Sequence, residues 1–249
     1  MIYGGFAQIY DKFMDMRYAA WVEYIRAIWR RFGLSPNMVL DLACGTGGLT
    51  AILNWQGYEM IGVDASAEML TIARQKDEGI LFLQQDMRSF ELYGTVDAII
   101  CCCDGINYLL DEEGLRSTFA LCANYLNPKG LLVFDINTEH KFSKVLADNI
   151  FADTCDDSAY IWENTYHEDE KINEYAISCF VREGEVYRRF DEVHLQKAHS
   201  PREIEAALAR AGFEVVGQYH ELTFDAPRHD SQRVFFVCRV FDEKNNFGG

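Results

Sequence analysis

Five mostly apolar segments alternate with helical patterns over the first 137 residues, and this alternation constrains the fold more than any other feature. The segments read MVLDLA, YEMIGVD, ILFLQQD, VDAIICCC and LLVFDIN. Runs of this kind are typical of strands that are covered on both faces. Between them, apolar residues recur three and four positions apart, as on one side of a helix. Strands and helices that alternate over short connections predict a doubly wound, mostly parallel α/β sheet.

The pattern changes after a helix predicted near residues 139–148. Residues 160–197 contain three alternating, aromatic-rich stretches separated by turn-like breaks, which predicts a three-stranded antiparallel meander. Helical signals then return at Ser200, where a capping box with Glu203 begins a helix that ends at Gly212. Two further strands close the chain, bringing the predicted sheet to seven strands.

These boundaries predict one α/β domain with an insertion. The domain comprises residues 1–137 and 198–242, and the insertion of a helix plus the meander comprises residues 138–197. Residues 243–249 are polar and glycine-rich, and we expect them to form a disordered tail.

Composition excludes several classes of partner. The formal net charge of −16 disfavours binding to the phosphate backbone of a nucleic acid. The sequence has no apolar run of about 18 residues, so we expect no membrane span. Its first residues lack the pattern of a signal peptide, which predicts a cytoplasmic protein. The eight cysteines show no CxxC pair, and we therefore predict neither a metal site nor a disulfide framework.

The stretch DLACGTGG joins the first predicted strand to its helix. Gly45 and Gly47 stand at the edge where open α/β sheets bind ligands, and glycine lets the backbone approach a ligand closely. Asp64 ends the next strand, 19 residues after Gly45, where a carboxylate accepts hydrogen bonds from ribose hydroxyls. The spacing predicts an adenosine-like ligand. Thr50 occupies the third glycine position of a dinucleotide site, which disfavours NAD.

Three motifs, VLDLACGTG, GVDAS and QQDMRSF, occur in the order found in class I S-adenosylmethionine (SAM) methyltransferases, and the chain resembles that family. The resemblance implies a seven-stranded sheet whose last strand runs antiparallel. It also implies that SAM is the cofactor and S-adenosylhomocysteine the product. The implied cofactor-binding residues are Asp41, Ala43, Gly45 and Gly47 in the loop, Asp64, Ala65 and Met69 after the second strand, and Asp86 and Met87 after the third.

The N-terminal stretch FAQIYDKFMD resembles the glycine- and sarcosine-N-methyltransferase-like branch of small-molecule enzymes. In that branch a tyrosine of a Tyr-Asp pair folds over the cofactor, which implies this role for Tyr10 and a substrate-side place for Tyr3. The same branch carries a substrate-covering lid at the position of the insertion. Alternatively, Phe6, Tyr10 and Phe13 simply form the packed face of a helix.

Candidate catalytic residues lie in the last strand of the meander. Alternation places Arg188, Glu192, His194 and Gln196 on one face. Glu192 and His194 are predicted to orient or deprotonate a substrate, and Arg188 to pair with an anionic group. The alternative is a polar row that faces solvent. Residues 151–197 hold 12 acidic and 5 basic side chains, which favours neutral or cationic substrates if those charges face inward.

Three consecutive cysteines end the fourth predicted strand. Alternation places Cys101 and Cys103 on one side and Cys102 on the other, so the thiols cannot converge on a metal. We interpret Cys101 and Cys102 as small buried side chains. The position of this strand end, beside the glycine loop, predicts that Cys103 borders the cofactor and that Asp104 and Asn107 lie on the substrate side.

The sequence therefore predicts a SAM-dependent methyltransferase that acts on a small molecule by in-line displacement. Three alternatives stay open: an NAD-linked oxidoreductase, a SAM-binding module without catalysis, and an enzyme that methylates proteins. The substrate, the methylated atom and the oligomeric state do not follow from the sequence.

Overall fold

A computed structural model describes residues 6–13 and 18–241 of the chain. Six α-helices are present in this part: α1 (Ala7–Phe13), α2 (Tyr18–Arg31), α3 (Gly48–Trp55), α4 (Ala67–Lys76), α5 (Glu112–Tyr125) and α6 (Pro201–Arg210). A 3₁₀ turn spans Gly105–Tyr108 and a π-helical turn spans Lys141–Leu146. Tyr3 and the tail predicted at residues 243–249 lie outside the described residues.

The strands form two sheets. The larger contains β1 (Met38–Leu42), β2 (Glu59–Asp64), β3 (Leu81–Gln84), β4 (Val96–Cys101), β5 (Leu126–Asn137), β10 (Phe213–His220) and β11 (Arg233–Val240). The smaller, which we call the inserted sheet, contains β6 (Ile150–Cys155), β7 (Ser158–His167), β8 (Ile172–Glu183) and β9 (Val186–Lys197).

The larger sheet has the order β10-β11-β5-β4-β1-β2-β3. Neighbouring strands are parallel except that β11 runs antiparallel to both β5 and β10. This arrangement confirms the predicted doubly wound, seven-stranded sheet with an antiparallel last strand. Because β1 lies between β2 and β4, the carboxyl ends of these three strands meet at one edge, where such sheets bind ligands.

Two apolar layers cover the larger sheet, one on each face. Successive residues of β1 alternate between them: Val39 packs with Ile25 and Ile28 of α2, whereas Leu40 packs in the layer that contains Phe119 and Leu208. These side chains are fully buried. Burial on both faces explains why the strands read as nearly continuous apolar runs.

The cysteine triplet follows this alternation only in part. Cys101 and Cys102 are buried in opposite layers, as predicted. Cys103 packs beside the layer of Cys102, so the prediction that it shares a side with Cys101 is wrong. The reason is that β4 ends at Cys101 and Cys103 has a φ of 62°, which breaks the extended alternation. Burial raises the pKa of all three thiols.

The inserted sheet is a meander of four strands in the order β6-β7-β8-β9, one strand more than the sequence predicted. The additional strand, β6, is mostly exposed and lacks an apolar alternation, so its sequence carried no strand signal. The helix predicted nearby is the short π-helical turn. Tyr175 and Phe142 of the insertion are buried in one cluster with Ile9 of α1 and with Phe6, which directly precedes that helix.

Within the described part of the chain, no helix combines the length and apolar character needed to cross a membrane. The same residues contain no group of three His, Cys, Asp or Glu side chains that could hold a metal ion.

The capping box predicted at α6 offers a test of the fold. The Ser200 hydroxyl accepts the Glu203 amide at 3.2 Å, and Glu203 Oε2 accepts the Ser200 amide at 2.7 Å. We expect Ser200→Ala to lower the free energy of unfolding by about 1 kcal/mol in urea titrations, because an amide loses its partner. Ser200→Asp, which retains a cap, should unfold close to wild type. Equal urea midpoints for the two variants would contradict the assignment.

Candidate active site

A cavity of about 660 Å³ opens at the carboxyl ends of β1, β2, β3 and β4. All but one of the predicted cofactor-binding residues line it: Tyr10, Asp41, Ala43, Gly45, Asp64, Ala65, Met69, Asp86, Met87 and Cys103. These residues come from five separate segments of the chain. The fold therefore assembles, around one space, the side chains that the motifs indicated.

Asp64 organises the loop beside this cavity. Its carboxylate accepts hydrogen bonds from the Gly45 and Ser66 amides, each at 2.8 Å. Gly45 itself has a φ of 55°, which glycine adopts at little cost. Each carboxylate oxygen has a second lone pair, so the group retains acceptor capacity toward the cavity.

Gly47 is the predicted cofactor residue that does not line the cavity. It precedes α3 with a φ of 69°, and an added Cβ would stand 2.9 Å from the Cβ of Ala73. Glycine is therefore required here for the packing of α3 against α4. Gly47 therefore shapes the loop through this packing, and its contact with the cofactor stays a prediction.

Asp41 is buried at the floor of the cavity. Its Oδ2 accepts a hydrogen bond of 2.6 Å from the Thr50 hydroxyl. Burial raises the pKa of Asp41 to about 7, against the opposing effect of this hydrogen bond. Thr50, the residue that departs from the dinucleotide pattern, thus has a specific use as the partner of this carboxylate.

Asp86, which also lines the cavity, is paired with Arg88. Arg88 Nε lies 2.9 Å from Asp86 Oδ1, and Nη2 lies 2.5 Å from Oδ2. This contact holds the pKa of Asp86 below its usual value. The pair is partly exposed, and both residues line the cavity beside Met87.

Helix α1 covers the cavity through Tyr10 and is fastened by Asp11. The Asp11 carboxylate accepts the Thr46 hydroxyl at 2.8 Å and Lys76 Nζ at 2.5 Å. Thr46 belongs to the glycine loop and Lys76 to α4. Burial, followed by the proximity of Cys103, raises the pKa of Tyr10 well above its usual value, so its phenol stays protonated.

The turn after β4 is held by a buried ionic cluster. Cys103 and Asp104 have φ values of 62° and 61°, a left-handed conformation that is costly for residues other than glycine. The Asp135 carboxylate accepts both of their amides, at 2.8 and 3.0 Å. Arg233 pairs with Asp135 and, at 2.9 Å, with Asp104. Gln196 of β9 donates to the other Asp104 oxygen at 2.7 Å.

This cluster includes or supports two residues that were predicted on the substrate side, a role that stays a prediction. Asp104 does not line the cavity, because its carboxylate turns toward Arg233 and Gln196. Asn107 is fully buried, and its amide donates to the carbonyl oxygens of Asn137 at 3.0 Å and Lys197 at 2.8 Å. Both side chains support the turn. Gly105 and Tyr108, the first and last residues of the 3₁₀ turn, do line the cavity.

Glu192 and His194 are buried beneath the inserted sheet, so the interpretation of a solvent-facing row is wrong for them. Neither lines the cavity, but Tyr108 connects them to it. The Tyr108 hydroxyl lies 3.3 Å from His194 Nδ1, and His194 Nε2 lies 3.3 Å from Glu192 Oε2. Glu192 Oε1 accepts the Phe6 amide at 2.9 Å, which joins α1 to the inserted sheet.

Arg188 does not belong to this group. It lies near the tip of the β8–β9 hairpin with 62% of its side chain exposed, and it pairs with Glu183 at 3.2 Å. Alternation placed it on the correct face of β9, but this end of the strand is exposed among the described residues. Arg188 lies apart from the residues that line the cavity, and its role toward an anionic substrate group stays a prediction.

Sequence reasoning missed several residues that line the cavity, among them Tyr18, Thr46 and Tyr108. Thr46 stands between the two glycines of the loop, and this position was an available signal. Tyr108 carried a weaker signal, since it follows a strand whose end was predicted to border the cofactor. No pattern linked Tyr108 to His194, because 86 residues separate them in the chain.

Comparisons with known proteins agree with this geometry. A family described as "Methyltransferase domain" matches residues 39–130. The putative methyltransferase YqeM of Bacillus subtilis is 39% identical over 96% of this chain and 97% of its own length. A crystal structure of a SAM-dependent methyltransferase from Clostridium acetobutylicum is 32% identical, with a TM-score of 0.86 over 95% of this chain and 98% of that one.

The chain belongs to the SAM-dependent methyltransferases. Its cofactor is therefore SAM, and NAD is set aside. More distant relatives of this methyltransferase bear names of small-molecule enzymes. A dTDP-3-amino-3,4,6-trideoxy-α-D-glucopyranose N,N-dimethyltransferase of Streptomyces venezuelae is 28% identical over 84% of this chain and 90% of its own length. A glycine/sarcosine N-methyltransferase of Halorhodospira halochloris is 31% identical over 53% of this chain and 51% of its own.

The buried cluster around Arg233 predicts a large loss of stability when the guanidinium is removed. We expect Arg233→Met to lower the free energy of unfolding of the methyltransferase by ~3–5 kcal/mol, because two carboxylates lose their counter-ion. Arg228→Met, which removes an exposed pair with Asp230, should change it by less than about 1 kcal/mol. Urea titrations at pH 7 measure both. Similar losses for the two variants would contradict the role of the cluster.

Asp41 predicts a pH dependence of stability in the ligand-free protein. Its pKa rises from 3.8 to about 7 on folding, so the folded state binds a proton more tightly and stability falls as the pH rises from about 4 to 7. Asp41→Asn should remove this contribution. We expect the unfolding free energy of wild type, relative to that of Asp41→Asn, to fall by as much as about 4 kcal/mol across that range.

Urea titrations at unit pH intervals from 4 to 8 measure this difference. Asp230→Asn, at an exposed carboxylate, is the control and should follow wild type throughout. If the free energies of unfolding of wild type and Asp41→Asn changed in parallel with pH, Asp41 would have an ordinary pKa.

Proposed function

We propose that this methyltransferase transfers the methyl group of SAM to a small-molecule nucleophile. The observation that carries the proposal is the continuous cavity, which is lined by the cofactor motifs and covered at one end by α1. The names of the dTDP-amino-sugar and glycine/sarcosine relatives support a small substrate. The net charge of −16, and the 12 acidic against 5 basic residues at positions 151–197, favour a neutral or cationic molecule over a nucleic acid.

The residues of the cavity fit the parts of SAM. Asp64, with free acceptor capacity at the end of β2, would receive the ribose hydroxyls. Asp41 would pair with the amino group of the methionine portion, and Asp86 and Met87 would contact the adenine. Bound SAM supplies a methyl group that is already activated by a sulfonium centre.

The protein then has to align the nucleophile with the methyl group and to exclude water from the site. Tyr10 and Cys103 both line the cavity, and we assign the methyl group and the substrate to the space beside them. Tyr10 keeps its proton and can donate a hydrogen bond there. Glu192 and His194 act from behind Tyr108 in orienting or deprotonating the substrate.

We propose that the insertion, residues 138–197, serves as a lid; it comprises the π-helical turn and the inserted sheet. The domain that it covers is formed by residues 1–137 and 198–242. The apolar cluster of the insertion includes Ile9 of α1 and Phe6 just before it, so the lid and α1 form one packed unit. We propose the cytoplasm as its location, where the eight free cysteines would stay reduced.

Calorimetry tests cofactor binding. Wild type should bind SAM and S-adenosylhomocysteine saturably, and should not bind NAD. Asp64→Asn should weaken SAM binding at least about tenfold, because an ionised acceptor of the ribose hydroxyls is lost. Asp230→Asn is the matched control and should bind as wild type does. Undiminished binding by Asp64→Asn would contradict the assignment of the ribose site.

A transfer assay with methyl-labelled SAM tests catalysis. The probes are glycine, dTDP-3-amino-3,6-dideoxyglucose, trans-aconitate, and a protease-treated metabolite extract compared with an untreated protein extract. Label in a small molecule supports the proposal. Label confined to protein would establish the protein-modifying alternative, and SAM binding without transfer to any acceptor would establish the non-catalytic one.

A further inference from the structure

Tyr108 stands between the cavity and a buried acid–imidazole pair. Its hydroxyl contacts His194 Nδ1 at 3.3 Å, and its side chain lines the cavity. The ring of His194 meets that of Tyr108 edge-on, with centroids 6.1 Å apart. His194 and Glu192 are 1% and 7% exposed, so any exchange of protons between them and a ligand passes through Tyr108 or an equally enclosed route.

The contacts of Glu192 set the direction in which a proton can move between Tyr108 and His194. Its Oε1 accepts the Phe6 amide at 2.9 Å, which favours the ionised carboxylate. An ionised Oε2 then accepts a hydrogen bond from the Nε2–H group of His194. The neutral imidazole is thereby held with its lone pair on Nδ1, which points toward the Tyr108 hydroxyl. Tyr108 can donate its hydroxyl proton inward while its oxygen accepts another from the cavity.

Tyr108 lines the same cavity as Tyr10 and Cys103, the two residues beside which we assign the methyl group. A nucleophile that attacks the methyl group would therefore stand in the space that the Tyr108 side chain also lines.

We propose that Tyr108 is a catalytic residue that passes a proton from an ammonium substrate to His194, and that the substrate is a small amine. This inference rests on the proposed methyl transfer. An N–H bond of the ammonium breaks and its proton bonds to the Tyr108 oxygen, while the O–H proton of Tyr108 moves to His194 Nδ1. His194 becomes an imidazolium that Glu192 stabilises, and the nitrogen regains the electron pair that attacks the methyl group.

The chemistry of the relay selects the amine. A carboxylate nucleophile carries no proton that must be removed, and an alcohol gives up its proton to an imidazole much less favourably than an ammonium does. An ammonium lies within a few pKa units of imidazole, where transfer is efficient. Tyr10 keeps its own proton because burial raises its pKa, so it remains a hydrogen-bond donor.

Two ionisable groups beside the relay have pKa values that burial raises above the neutral range. Tyr175 lies opposite His194 on β8, and its pKa is raised well above the usual value. Burial also raises the pKa of Cys179, near Glu192, to about 12. A change in activity between pH 6 and 9 is therefore not due to the titration of Tyr175 or Cys179.

The test is the pH profile of kcat/KM for dTDP-3-amino-3,6-dideoxyglucose and for glycine, in wild type, Tyr108→Phe and His194→Gln. Near pH 7 we expect both variants to lose about 100-fold in kcat/KM. The defect should shrink below about tenfold at pH 9, where much of the amine has already lost its proton. Tyr93→Phe, at a fully exposed tyrosine, is the matched control and should follow wild type.

A defect that is equal at every pH would overturn the relay, since lost packing does not depend on the charge of the amine. Transfer to trans-aconitate but to neither amine would overturn the substrate class and leave the proposed methyl transfer intact. Absence of SAM binding by wild type would instead remove the proposed function itself.

A spectroscopic measurement keeps the inference testable without turnover. In the S-adenosylhomocysteine complex, ¹⁵N chemical shifts of the His194 ring should show the tautomer protonated at Nε2. Glu192→Gln should shift that balance, whereas Asp230→Asn should not. A wild-type ring protonated at Nδ1 alone would overturn the relay, because Nδ1 could then not receive a proton from Tyr108.

Discussion

The buried contact of Arg233 with two carboxylates is the interaction on which the site depends. Asp135 of β5 uses its oxygens to hold the amides of Cys103 and Asp104, and Arg233 of β11 neutralises it. Burial alone would raise the pKa of Asp135, and the guanidinium opposes this effect. A left-handed turn of two residues that are not glycine is thereby maintained, at the point where the chain leaves the sheet for the cavity.

The consequences of this contact extend into the inserted sheet. Asp104 also accepts a hydrogen bond from Gln196, whose Oε1 accepts the Tyr175 hydroxyl at 2.8 Å. The antiparallel strand, the turn after β4 and the insertion thus meet in one polar cluster. Helix α1 closes the other side, held to the glycine loop through Asp11 and to the inserted sheet through Glu192. The glycine loop, helix α1 and the inserted sheet are therefore linked by hydrogen bonds.

The sequence predicted the larger sheet and the cofactor end of the cavity well, because both depend on local patterns. A strand that ends in a glycine turn positions Gly45 and Asp64 without help from distant residues. The insertion was less predictable: β6 is an exposed strand whose position comes from pairing with β7, not from its own composition. Asp104 and Asn107 were placed by proximity to the site, but their direction is set by partners on β5, β9 and β11. Tyr108 gains its significance from His194, a partner that becomes visible only after folding.

The contact between Glu192 and α1 has a consequence for how this scaffold can diversify. Glu192 accepts this hydrogen bond from the main-chain amide of Phe6 and not from the Phe6 side chain. Every residue type except proline would present the same donor at position 6. A substitution at position 6 can therefore leave this hydrogen bond intact, while Phe6 and Ile9 pack in the shared core and Asp11 holds α1 through its side chain. Selection for a new acceptor molecule, in nature or in the laboratory, could act on position 6 while this main-chain attachment is inherited unchanged.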